Sequence, residues 1–155
     1  MGKSLGKPLT DTRNFVAEYN AVERIGEKAP LVLATLRRKM IALSAEIGDG
    51  MVFANGARSH MGKSLAVLPE DKRTDDAFYI GNMIPTCISE DIEAAKAVNR
   101  RTLTSYVQLP NYQNYWREAG YVEEMDAIAA AVEAGEVKRI PELMSDNWLA
   151  DTTLF

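Results

Sequence analysis

The stretch from Pro30 to Asn55, PLVLATLRRKMIALSAEIGDGMVFAN, restricts the possible folds more than any other part of this chain. It opens on PLVLATL, a short unbroken apolar run with Val32 inside it. Such a run, too short for a membrane span and without alternation, fits a strand buried on both faces, as in a parallel sheet. RRKMIALSAEIG follows at once, with Met40, Leu43 and Ile47 on one stripe and Gly48 where a helix C-cap belongs. GMVFAN then reads as a second buried strand. Strand, helix and strand in immediate succession predict a βαβ unit, and such units are parallel and almost always right-handed.

The flanks extend the pattern. LTDTRNFVAEYNAVERIGEK predicts a helix capped by Thr10 or Asp11, with Phe15, Tyr19 and Val22 on one face. After the βαβ unit, a short helix is expected over about Ser59 to Val67, then the charged loop PEDKRTDD. AFYIGNMIPTCI predicts a third strand over Phe78–Ile84, interrupted near Gly81-Asn82 or Pro85. From Ser89, read as an N-cap, the signal is helical. One helix is expected as far as about Gln108, with Glu90 and Asp91 in its first turn. Two more should stop at Gly120 and Gly135, and a last one should begin with Pro141 at its first position. The expected architecture is α/β and a single domain over residues 1–155. Residues 1–88 carry the βα units and 89–155 a helical segment.

A chain of 155 residues that is 46% hydrophobic can build a real core. Its net charge of -4 argues against nucleic acid or an anionic membrane as the main partner. Arg37-Arg38-Lys39 and Arg100-Arg101 are local basic clusters of the kind that usually form solvated helix faces. No apolar run approaches the ~20 residues of a membrane span, and MGKSLGKPLTD has no signal-peptide apolar core. The cytoplasm is the expected location. Cys87 is the one cysteine and His60 the one histidine, too few ligands to close a zinc site, so no metal is expected. Cys87, in the apolar MIPTCIS, reads as a buried structural thiol.

MVFANGARSHMGKSLAVLP raises a rival reading, a phosphate-binding P-loop ending in Gly62-Lys63-Ser64. The spacing puts Ala57 where the loop's first glycine belongs, and Gly56 falls one residue early. Pro69 also cuts the following helix short. MGKSL occurs at Met1 as well as Met61, but the surrounding residues do not match, so the two copies are no repeat.

In the βαβ stretch, Pro30, Ala34, Lys39, Met40, Ala45, Glu46, Ile47, Asp49 and Gly50 stand in the order typical of one family. The downstream segment SEDIEAAKAVNRRTLTSYVQLPNYQNYWREAGY fits it too. From about Lys7 to Phe155 the chain resembles the luciferase-like monooxygenases, which use flavin (FMN) or deazaflavin coenzymes. The resemblance implies a TIM-barrel fold. Eight βα units need about 250 residues, and three strands are legible here, Leu31–Thr35, Met51–Asn55 and Phe78–Ile84. A partial barrel is therefore expected, the C-terminal part of a longer flavin- or deazaflavin-dependent oxidoreductase. A non-catalytic assembly domain derived from that fold is the alternative.

Barrel active sites lie at the C-terminal ends of the strands. The resemblance implies that the loop and helix start after the first legible strand hold a coenzyme phosphate. It makes Thr35, Leu36, Arg37, Arg38, Asn55 and Gly56 the candidate cofactor residues, and the catalytic groups are expected on strands outside this set. At Arg37-Arg38 the family commonly has Gly-Pro. Two guanidiniums can grip a phosphate, or they can fill the space that glycine leaves for close approach. Asn55 reads either as a ligand contact or as a turn residue. Tyr112, Tyr115, Trp116 and Tyr121 read as a packing cluster, and His60 as a surface residue. The isolated chain is expected to bind coenzyme weakly and a small-molecule substrate only in a complete enzyme. It is also expected to form a homo-oligomer, because a three-strand sheet has two open edges and an apolar inner face at Val32, Ala34, Val52 and Ala54.

Overall fold

The computed structural model describes residues 6–24 and 26–155. The N-terminal MGKSL lies outside the described residues. The chain forms two compact units, each built from two stretches: residues 1–53 with 63–81, and residues 54–62 with 82–155.

The first unit begins with helix α1, Pro8–Ala21. Proline occupies its first turn, where its missing N–H costs nothing. Neither Thr10 nor Asp11 caps it, because Pro8 fixes the start upstream of both. The face shared by Phe15 and Tyr19 is not the buried one. Val16 is the buried residue, while Phe15 is 61% exposed and its ring stacks on Tyr19. Arg13 forms a two-point ion pair with Glu46, and this exposed contact sets α1 against the next helix.

Strand β1, Val32–Thr35, leads into helix α2, Arg38–Ile47, and then strand β2, Gly50–Ala54. β1 and β2 are parallel, in register from Val32 opposite Gly50 to Thr35 opposite Phe53. Strand β3, Tyr79–Met83, completes a three-stranded parallel sheet of order β1-β2-β3. This is the α/β, partial-barrel architecture expected. β3 runs unbroken through Gly81 and Asn82, so no interruption occurs before Pro85. Asp49 ties the turn down: its carboxylate accepts from the Leu31 N–H at 2.7 Å and its own N–H donates to the Leu31 carbonyl at 2.9 Å. Gly50 is required by crowding, since a Cβ there would lie 2.7 Å from the Cβ of Tyr79.

The two faces of the sheet are not equivalent. Met51 and Phe53 are fully buried, and Ile41, Leu43 and Ser44 of α2 are buried too. On β1, however, Val32 is 42% exposed and Ala34 is exposed. The expectation of a strand buried on both faces therefore fails for β1. It is an edge strand with helices against one face only, so the alternate side chains stay open to solvent. The chain then passes through a 3-10 turn, Arg58–His60, into short helices α3, Met61–Leu65, and α4, Glu70–Arg73.

The second unit is mostly helical. Helix α5, Ile92–Leu103, is capped by Asp91, whose carboxylate accepts from the Ala94 N–H at 3.0 Å. Ser89 instead accepts from the Asp91 N–H, so the cap lies two residues later than predicted. Helices α6, Pro110–Glu118, and α7, Val122–Glu133, stop as expected at Gly120 and Gly135, both at positive φ. Pro141 does not open a helix. It lies inside a 3-10 stretch, Val137–Leu143, and the last helix, α8, Asp146–Thr152, is capped by Ser145. The Ser145 hydroxyl accepts from the Trp148 N–H, which outcompetes proline's preference for a first turn. Trp116 and Trp148 meet edge to face at 5.0 Å in a core with Met125, Ile128, Ile140 and Leu149. Among the described residues, no helix is long and apolar enough to cross a membrane.

Candidate functional site

Two strand-end segments carry the candidate residues, one in each unit. In the first unit, β1 delivers Thr35 and Leu36 to the start of α2. Both are buried, at 2% and 9% exposure, and the Thr35 hydroxyl points its proton at the Val52 carbonyl at a long 3.5 Å. The chain then turns outward. Arg37 is the N-cap of α2 and Arg38 its first residue; both side chains are exposed. No side chain caps this end, and no acidic residue stands in the first turn. The partial positive charge of the helix start is thus reinforced by three successive cations, Arg37, Arg38 and Lys39. An anion suits such an end and a cation does not.

In the second unit, the end of β2 runs into Asn55, Gly56 and Ala57, all buried. Asn55 is at φ 60°, the one described non-glycine residue with positive φ. Asparagine tolerates this region better than most residues, at a cost of about 1–3 kcal/mol that its neighbours must offset. The neighbours are evident. The Asn55 N–H donates to the Met83 carbonyl at 3.0 Å. The Asn82 side chain then grips Gly56 at two points: its Oδ1 accepts from the Gly56 N–H, and its Nδ2 donates to the Gly56 carbonyl, each at 3.0 Å. The carboxamide imitates one more rung of a strand ladder. The Ala57 N–H donates to the Tyr115 hydroxyl at 3.0 Å, and His60 packs edge-on against the Tyr115 ring at 5.6 Å. Asn55 keeps one buried side-chain donor, Nδ2, without a hydrogen-bond partner.

A third contact fixes the same loop. The Asp151 carboxylate accepts from the Ser59 N–H at 2.8 Å, the Ser59 hydroxyl at 2.7 Å and the Tyr121 hydroxyl at 2.9 Å. Burial, and then the hydrogen bond to Asp151, push the Tyr121 hydroxyl up to about 12. The sequence reads Asn82 only as a strand interruption and Tyr115 only as a packing ring, and Asp151 does not stand out in it. Asp151 is 92 residues from Ser59, so no local spacing could pair them.

These bonds count against the P-loop reading, since the N–H of its first position, Ala57, is taken by Tyr115. A phosphate cradle needs free backbone N–H groups, but those of Gly56 and Ala57 are taken by Asn82 and Tyr115. The helix carrying Gly62, Lys63 and Ser64 is only five residues long, and Ser64 is buried. Tyr112, Tyr115 and Trp116 pack as anticipated; Tyr112 lies 5.2 Å from Tyr106 and 5.5 Å from Trp116. Among the described residues, no group of three or more His, Cys, Asp or Glu side chains can hold a metal ion.

The family model for luciferase-like monooxygenases matches residues 7–155. The chain belongs to the luciferase-like monooxygenase family. No individual curated protein matches it. Members of this family are generally flavin-dependent oxidoreductases acting on small molecules, and the parallel three-stranded sheet is part of the barrel wall their fold implies. Of the six candidate cofactor residues, Arg37 and Arg38 present side chains to solvent. The side chains of Thr35, Leu36 and Asn55, and Gly56 itself, are buried.

Proposed function

We propose that this chain supplies one phosphate-gripping segment of a flavin or deazaflavin site in a luciferase-like oxidoreductase. The observation that carries the reading is the start of α2, an uncapped helix end with no acidic first-turn residue and with Arg37 and Arg38 exposed on it. Those residues fit a phosphate-bearing coenzyme: the helix end offers N–H groups and a positive dipole, and guanidinium forks match phosphate oxygens. Bound coenzyme of this kind supplies hydride transfer or oxygen activation. The residues here hold and orient its phosphate tail. Three strands make only part of a barrel wall, so further strands complete the ring pocket and bring the catalytic groups. FMN and a deazaflavin fit the segment equally, because both carry phosphate.

The test is fluorescence titration with FMN and with a deazaflavin coenzyme. The 155-residue chain is expected to bind weakly, since most of the ring pocket is absent. In a complete enzyme carrying this segment, replacing both arginines with alanine should weaken binding tenfold or more per productive contact, from about 1.5–3 kcal/mol for a charged hydrogen bond. Unchanged affinity in the double variant would assign both arginines to the solvated helix face.

A further inference from the structure

We propose that Asn55–Gly56 is a modification site, a spontaneous succinimide-forming pair that the Asn82 side chain holds shut. The reaction is internal to the chain. The Gly56 amide nitrogen gives up its proton and attacks the Asn55 side-chain carbonyl carbon, closing a five-membered ring. The bond from that carbon to Nδ2 breaks, and Nδ2 leaves as ammonia with the proton that Gly56 lost. Water then opens the ring at either carbonyl, giving aspartate or isoaspartate at position 55. No oxidant, reductant or enzyme is required.

Two observations converge on this pair. Asn55 is the single asparagine in the sequence followed by glycine, and glycine has no Cβ to shield the attacking nitrogen or restrict its rotation. The departing Nδ2 of Asn55 has no hydrogen-bond partner, so no bond to the leaving nitrogen opposes its loss. Against these stands one restraint placed on the nucleophile itself. The Gly56 N–H donates to Asn82 Oδ1 at 3.0 Å, while Asn82 Nδ2 fixes the Gly56 carbonyl at 3.0 Å. A nitrogen in that clamp can neither lose its proton readily nor swing onto the neighbouring carbonyl carbon. Conversion therefore proceeds from a locally opened state, at a rate set by how often the clamp releases. The product is disruptive. Asn55 is 1% exposed, so an aspartate there buries an uncompensated charge, and isoaspartate also lengthens the backbone beside Gly56. The clamp thus makes the strand-end loop a one-way timer on the life of the folded chain. This inference is independent of which coenzyme, if any, the chain binds.

Peptide mass spectrometry after incubation in mildly alkaline buffer tests it on the full 155-residue chain. Asn82→Ala should convert Asn55 about tenfold faster or more than the parent, the effect of removing two neutral hydrogen bonds from a local opening equilibrium. Gly56→Ala in that background should suppress the gain. Equal rates at Asn55 in parent and folded Asn82→Ala would overturn the proposal. A second comparison covers the case in which Asn82→Ala does not fold. The parent in urea should convert much faster than the native parent, and the native Gly56 amide should be protected from hydrogen exchange. A native chain that converts as fast as the unfolded one, or a Gly56 amide that exchanges freely, would also overturn it.

Discussion

Replacing Asp151 with alanine should loosen the loop after β2, and the size of the effect can be worked from its contacts. The carboxylate accepts three hydrogen bonds, two from Ser59 and one from Tyr121. The Ser59 pair is exposed, where solvent competes, and the Tyr121 bond is partly buried. Taking about 0.5–1 kcal/mol for each Ser59 bond and about 1–1.5 for the Tyr121 bond gives a loss of about 2–3.5 kcal/mol. For a chain of this size that is a drop in melting temperature of roughly 4–14 °C. Urea unfolding of parent, Asp151→Ala, Tyr121→Phe and the double variant forms a cycle that isolates the shared bond. The coupling should be near 1 kcal/mol. A pH series adds a check with a fixed sign. The Tyr121 hydroxyl titrates at about 12 in the folded chain against 10.0 for an ordinary tyrosine. Its contribution is therefore complete below pH 10.0, declines between the two values and is lost as pH passes about 12. Tyr121→Phe should remove that part of the alkaline transition. A coupling near zero, or an alkaline transition unchanged in Tyr121→Phe, would refute the reasoning that Asp151 pins this loop.

Trp148→Ala should cost about 3–5 kcal/mol, because it empties a fully buried site and strips Trp116 of its edge-on partner; calorimetry showing a loss below about 1 kcal/mol would contradict the packing. The open face of β1, with Val32 42% exposed and Ala34 exposed, is expected to be covered by a second copy of the chain. Light scattering at micromolar concentration should give a dimer that Val32→Lys dissociates, and a clean 17.2 kDa species in the parent would rule the dimer out.

The βαβ unit was legible in the sequence because its information is local. An apolar run, an amphipathic stretch and a second apolar run follow one another without a gap, and chain geometry then allows little but parallel strands. The helix stops at Gly120 and Gly135 were legible for the same reason, since a positive φ is a property of the residue itself. Local rules failed where two of them competed or a distant group intervened. Asp91 displaced Ser89 as a cap, and Ser145 displaced Pro141 as a helix start, because a side chain that reaches a backbone N–H outweighs a preference of a few tenths of a kcal/mol. The expectation of a phosphate-bearing coenzyme beside Arg37 and Arg38 came from the resemblance to the family alone. Only the tertiary structure spent the amides of Gly56 and Ala57 on Asn82 and Tyr115, and only it joined Asp151 to Ser59. A hydrogen bond between residues dozens of positions apart has no period and no spacing to read. It exists because packing brings the two groups within 3 Å, and packing is a property of the whole fold.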